Sequence, residues 1–110
     1  MEVINKEKYS ILNDTESNVE EFLLNIENQY NTFENLNLII DLSHDKSISI
    51  SSINIFKNLV KKHKKNKKSL VFVAENIDFN KVPTQLNVVP TVIEAIDIIE
   101  LEEIERDLGF

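Results

Sequence analysis

The apolar run from Leu36 to Leu42 places the strongest constraint on how this chain folds. Leu38, Ile39 and Ile40 follow one another directly, so both faces of a strand at this position are apolar. Such strands are typical of the interior of a parallel sheet, where helices cover both faces. A second run, Ser69 to Ala74, has the same character. These two runs predict a parallel pair of strands at the centre of the fold.

The remaining elements follow from apolar spacing and from helix start signals. Glu2 to Asn13 is predicted to be a hairpin, and helices are predicted over 17–30 and 51–65 and from Thr91 onward. A short strand is predicted over 87–89. Ser17 with Glu20, and Thr91 with Glu94, have the spacing of capping boxes. The chain is therefore predicted to be a single-domain α/β fold, with a mixed sheet and helices packed on it.

Composition excludes several functional classes. The chain has 110 residues, no Cys and one Gly, Gly109. Glycine-rich phosphate loops of the Rossmann or Walker type and thiolate chemistry are therefore excluded. No apolar run reaches the roughly 18 residues that a membrane span needs, and the first residues do not have the pattern of a signal peptide. We expect a cytoplasmic protein without a cofactor.

Polar residues follow the first apolar run, at the edge where α/β sheets usually place functional groups. We expect Ser43, His44 and Asp45 to contribute to partner binding, together with Ser49, Ser51 and Ser52 at the start of the next helix. The last two serines are also candidates for phosphorylation, with plain N-capping as the alternative. Asp41, His44 and Asp45 form too small a set for a metal site, and no catalytic constellation is present.

A basic run lies near the end of the second predicted helix. It contains half of the 12 basic residues of a chain whose net charge is −7. Its members are Lys61, Lys62, Lys64, Lys65, Lys67 and Lys68. These lysines offset the dipole of a helix C-terminus, or they bind an anionic protein surface or RNA. The negative net charge makes nucleic acid the less favoured partner.

The C-terminal residues form a second apolar stripe. Val92, Ile96 and Ile99 share one helical face, whereas the later apolar residues fall nearly opposite. Those later residues are Leu101, Ile104, Leu108 and Phe110. One helix packed on one sheet cannot bury both stripes, so either the helix breaks near Glu100 or the second stripe meets another molecule. We therefore divide the chain into a domain, 1–100, and an acidic amphipathic tail, 101–110.

The chain resembles the STAS domain in three respects: the order of its elements, the segment Asn37 to Ser52 and the segment Asn87 to Ala95. This is the fold of bacterial anti-sigma-factor antagonists and of sulfate-transporter tails. The segment 49–52 falls on the family's Asp-Ser-Ser-Gly motif, with Ser51 at the phosphorylated serine and without the acid and the glycine. Thr91, Glu94 and Ala95 match the family's Thr-x-x-Glu-Ala helix opening.

The resemblance implies a non-enzymatic regulatory module. Its partner would be a kinase-type anti-sigma factor or another regulated protein, and a homodimer is a further option. The tail is also similar to that of short bacterial STAS-like proteins sometimes labelled ribonuclease Z. That hydrolase needs a histidine cluster, whereas this chain has only His44 and His63. An RNA-binding or RNA-processing accessory protein that uses the lysine run is the alternative function.

Overall fold

The sheet has five strands within residues 1–109, which are the residues that the computed structural model describes. The strands are β1 (Glu2–Asn5), β2 (Ser10–Asn13), β3 (Leu38–Asp41), β4 (Leu70–Val73) and β5 (Val88–Val89). They lie side by side in chain order, with β1 antiparallel to β2 and the other neighbours parallel. The α/β class, the mixed sheet and the central position of β3 beside a parallel β4 are confirmed.

The two faces of the sheet are covered unequally, because most of the helices lie on one side. They are α1 (Val19–Asn28), α2 (Tyr30–Phe33), α3 (Ile50–Asn54), α4 (Lys57–Lys65) and α5 (Val92–Asp107). The larger core joins α1 to α4 with one face of the central strands, including the edge-on rings of Phe22, Phe56 and Phe72. The smaller core joins α5 alone with the opposite face.

The predicted N-cap of the first helix was wrong by one residue. Asn18 is the N-cap, and its side-chain oxygen accepts a hydrogen bond from the Glu21 amide at 3.1 Å. Ser17 has φ +51°, a left-handed conformation in which it leads into the cap rather than serving as one. Asn and Ser are about equally good N-cap residues, but an N-cap needs extended backbone angles. Asn18 has them, with φ −129° and ψ 94°, so it takes the role that Ser17 was predicted to have.

The second predicted helix is divided into α3 and α4 at Ile55 and Phe56. The break lets the Phe56 ring enter the core, where it is fully buried between Phe22 and Phe72. The loop before β5 contains a 3-10 turn at Phe79–Lys81. Gly109 follows the last helix with φ +84°, the left-handed conformation that commonly ends helices.

The larger core encloses one titratable network. His63 is fully buried on α4, and its ring lies between the Tyr30 hydroxyl, 2.7 Å from Nδ1, and the Leu36 carbonyl, 2.8 Å from Nε2. The carbonyl can only accept, so Nε2 carries the proton and Nδ1 accepts from Tyr30. Asn66 Nδ2 donates to the same hydroxyl at 3.0 Å. Burial raises the pKa of Tyr30, which keeps its hydroxyl a donor.

This network predicts acid sensitivity. Burial lowers the pKa of His63 below 6.5, because a charged imidazolium would lose its hydration there. The unfolded chain then binds more protons than the folded one once the pH falls below 6.5. We expect the free energy of unfolding to decrease with falling pH until the lower folded pKa is passed, by at most about 1.4 kcal/mol per pH unit.

Urea denaturation at several pH values below 6.5 measures how steeply the free energy of unfolding depends on pH. The His63 ring signals in NMR spectra report the titration of the side chain itself. The variant His63→Gln removes this titration, so its stability should depend less on pH than that of the unmodified chain. A His63 midpoint at or above 6.5 would contradict the prediction.

Candidate functional site

The connection from β3 to α3 is a polar loop at the carboxyl edge of the sheet, with two turns that side chains stabilise. Asp41 Oδ1 accepts from the Ser43 amide at 2.9 Å and from its hydroxyl at 2.6 Å. Asp45 Oδ1 repeats the arrangement with Ser47, at the same two distances. Each turn is thus stabilised by an Asp that lies two residues before a Ser. Asp side chains readily form hydrogen bonds with the backbone two residues further along.

The three candidate serines have different roles at the start of α3. Ser49 is the N-cap: its Oγ accepts from the Ser52 amide at 3.1 Å and lies 3.0 Å from the Ser52 hydroxyl. Ser52 is half-buried, whereas Ser51 is exposed in the first turn of α3. The position predicted for Ser51, near the surface in the first turn, is therefore confirmed, and Ser51 is the more accessible candidate for modification.

His44 is exposed on the same loop, and Asp45 beside it is half-buried. Within residues 1–109, the structure brings no three His, Asp or Glu side chains into an arrangement that holds a metal ion.

The second candidate surface is an exposed apolar stripe on α5. Leu101 and Ile104 are each 56% exposed and Leu108 is 67% exposed. Ile93, near the start of the helix, is 72% exposed. Viewed down the helix axis, it lies with the other three side chains within an arc of about 80°. Leu101, Ile104 and Leu108 are adjacent on this stripe, and adjacent exposed apolar side chains of this kind mark contact sites. The fourth predicted member, Phe110, lies outside the described residues.

The helix that carries this stripe does not break near Glu100. It runs without interruption from Val92 to Asp107. Ala95 and Ile99 are buried against the sheet, and the same face continues with Glu102, Glu103 and Arg106. The C-terminal half of α5 therefore turns a polar face toward the sheet and its apolar stripe outward.

A polar cluster holds that half of the helix in place. Both terminal nitrogens of Arg106 donate to Ser69 Oγ at 3.2 Å, and Nη2 also lies 3.4 Å from Asn37 Oδ1. Asn37 Oδ1 also accepts from the Ser69 amide at 2.9 Å. Its Nδ2 donates to the Lys8 carbonyl at 3.0 Å and to Glu103. The buried Asn37 side chain thus uses both donors and both acceptor positions.

The lysine run forms a basic surface on the outer side of α4 and the turn that follows. Five of its lysines are exposed, and Lys68 is half-buried. Lys62 Nζ lies 4.5 Å from the centre of the Tyr30 ring. Among the described residues, the only ion pair within 4 Å joins Lys46 and Glu75, away from the run. These charges are therefore available to an anionic partner.

The predicted surfaces do not form one continuous site. The serine loop follows β3 at the carboxyl edge, whereas the end of α5 contacts Asn37 and Ser69, which precede β3 and β4 at the opposite edge. Leu101, Ile104 and Leu108 are brought together by the helix that carries them. The lysine run belongs to the other helical layer, across the sheet.

Two features of this region were not predicted. Ile93 joins the stripe, and Asn37, Ser69 and Arg106 form the cluster behind it. The sequence spacing did contain a signal for the position of Arg106. One helical face runs through positions 92, 95, 99, 103 and 106. The pattern was missed because that face changes from apolar to polar after Ile99, where an apolar continuation was expected.

The stripe yields a stability prediction. Replacing Leu101, Ile104 or Leu108 singly by Gln should change the free energy of unfolding by less than about 0.5 kcal/mol, because these side chains already contact water. Ile99→Ala, on the buried face of the same helix, should lose about 2–5 kcal/mol. Urea denaturation compares the four variants. A loss above about 2 kcal/mol at a stripe position would show that the stripe packs against the protein's own core.

Within residues 1–109, none of the helices is both long and apolar enough to cross a lipid bilayer. No protein-family model matches the sequence, and no curated protein matches it either.

Proposed function

We propose that this chain is a non-enzymatic, cytoplasmic interaction module with a STAS-like fold, which binds a protein partner through the stripe on α5. One observation carries the proposal: four large apolar side chains are more than half exposed on one helix whose opposite face fixes it to the sheet. Covering them would gain roughly 1 kcal/mol each. Together this is worth about three decades of affinity.

The charges beside the stripe define the partner. Asp97 lies on the stripe itself, between Ile93 and Leu101, and Glu100 and Glu105 flank it. A groove with an apolar floor and a basic rim fits this face, as in other helix-in-groove complexes. Two α5 helices facing each other would bring these acids together, so a symmetric dimer through the stripe is disfavoured.

A second copy can offer its lysine run instead. That contact joins two different surfaces on opposite layers of the sheet, so it is heterologous and leaves both surfaces free at the ends. It would give assemblies that grow with concentration rather than a closed dimer.

The serine loop provides the regulatory part of the proposal. The resemblance aligns Ser51 with the serine that is phosphorylated in STAS proteins, and the Ser51 side chain is exposed. A phosphate there adds about two negative charges at one point of the carboxyl edge. A kinase-type anti-sigma factor would be a partner of this kind, and another regulated protein is the alternative.

Affinity capture tests the stripe. The tagged chain, immobilised in a cytoplasmic extract of its source cell, should retain a partner, which is then purified and titrated by calorimetry. The triple variant Leu101→Gln, Ile104→Gln, Leu108→Gln should bind it roughly a hundredfold more weakly, since about 3 kcal/mol of apolar burial is lost. Leu24→Gln is the matched control, because Leu24 is 55% exposed on α1. Equal affinity of the triple variant and the control would contradict the proposal.

Ser51→Asp tests the regulatory loop separately. The fold should remain, because the side chain is exposed, and a partner that docks on this edge should bind more weakly. Thr32→Asp places the same charge at an exposed position of α2 and should have no effect. If both variants weaken binding equally, the effect is one of net charge, and the loop has no special role.

The unpaired lysines support a second candidate, an RNA-binding or RNA-processing accessory protein. Their surface is continuous along α4 and the following turn. This candidate requires salt-dependent retention of RNA that is lost when all six lysines become Gln. Retention of RNA by the six-Gln variant would exclude it.

A further inference from the structure

A groove of about 490 Å³ lies at the edge of the sheet opposite to the serine loop. Its walls are the end of α4, the loop before β5 and the last turns of α5. The volume is in the range of small-molecule sites. It is separate from the outward stripe, since Leu101, Ile104 and Leu108 are not among the residues that line it.

The groove has an excess of positive charge. Lys64, Lys67, Lys68 and Arg106 line it against two acids, Glu102 and Glu105. None of these cations lies within 4 Å of a carboxylate among the described residues. The C-terminal ends of α4 and α5 each contribute about half a negative charge through the helix dipole. Dipole compensation and the two acids therefore offset about three of the four cations, and an excess of about one positive charge remains.

The guanidinium of Arg106 is preorganised to bind an anion. Ser69 and Asn37, both more than nine-tenths buried, fix its guanidinium from behind. The Nε proton and one Nη1 proton have no acceptor among the described residues. A guanidinium already fixed in place loses little rotamer freedom when it binds an anion, which raises affinity.

The rest of the lining indicates the organic part of the ligand. Thr84, Gln85 and Asn87 offer hydroxyl and amide groups along the loop before β5, whereas Val60 and Leu70 are the aliphatic residues of the lining and no aromatic residue within 1–109 lines the groove. Such a wall suits a polyhydroxylated group better than a large aromatic ring. We propose that the groove binds a small sugar phosphate, with the phosphate beside Arg106, Lys67 and Lys68 and the hydroxyls along the polar wall.

NMR titration with ribose 5-phosphate at constant ionic strength tests the site. Amide signals of 64–70, 84–87 and 102–106 should shift and saturate at millimolar concentration or below, that is, with Kd of about 1 mM or less. Inorganic phosphate should shift the same signals more weakly, and ribose alone should not. The double variant Lys67→Gln, Lys68→Gln should raise Kd by about tenfold or more, because charge-assisted hydrogen bonds are lost.

The matched control is Lys61→Gln, Lys65→Gln, which removes the same charge from α4 outside the groove. It should change Kd by less than about twofold, as expected for distant screened charges. Three outcomes would overturn the proposal: no saturable shifts, equal losses in both double variants, or binding only of long polyanions such as RNA. The last outcome would show that the groove is only one part of a polyanion-binding surface formed by the whole lysine run.

Discussion

The fold depends on two central strands that are apolar on both faces. Residues 38–40 of β3 and 70–73 of β4 are all buried, so each face of the sheet must be covered by helices. Four helices share one face, and α5 covers the other alone. That helix therefore has to cross the sheet from the end of β5 to the opposite edge, which sets its length and exposes its outer side.

The end of α5 lies beyond the reach of the apolar core. There Arg106 donates hydrogen bonds to Asn37 and Ser69, Glu103 accepts one from Asn37, and Glu102 accepts one from Asn87 at 3.2 Å. Net gains from single hydrogen bonds are modest, at about 1 kcal/mol each. Their geometry, however, fixes which way the helix faces. The stripe points outward because the polar side is the one with partners on the sheet.

Sequence patterns were sufficient for the elements that depend on apolar periodicity. The strands β3 and β4, the N-terminal hairpin and the cap at Thr91, whose Oγ1 accepts from the Glu94 amide at 3.2 Å, could all be predicted. The cap at Asn18 and the break at Phe56 could not, because they depend on local competition between neighbours and on ring packing in the core. The role of Asn37 was hidden for the same reason: its four hydrogen-bond partners come from distant parts of the chain.

We propose that the α5 stripe is open in the free protein and covered by a partner in the complex. The chain has no Cys, so Ile104→Cys creates a single site for an environment-sensitive fluorophore. We expect water-like emission from the dilute free protein and a blue shift when the purified partner is added. The same label at Leu24→Cys should show no shift. Blue-shifted emission in the dilute free protein, or equal responses at the two positions, would contradict it.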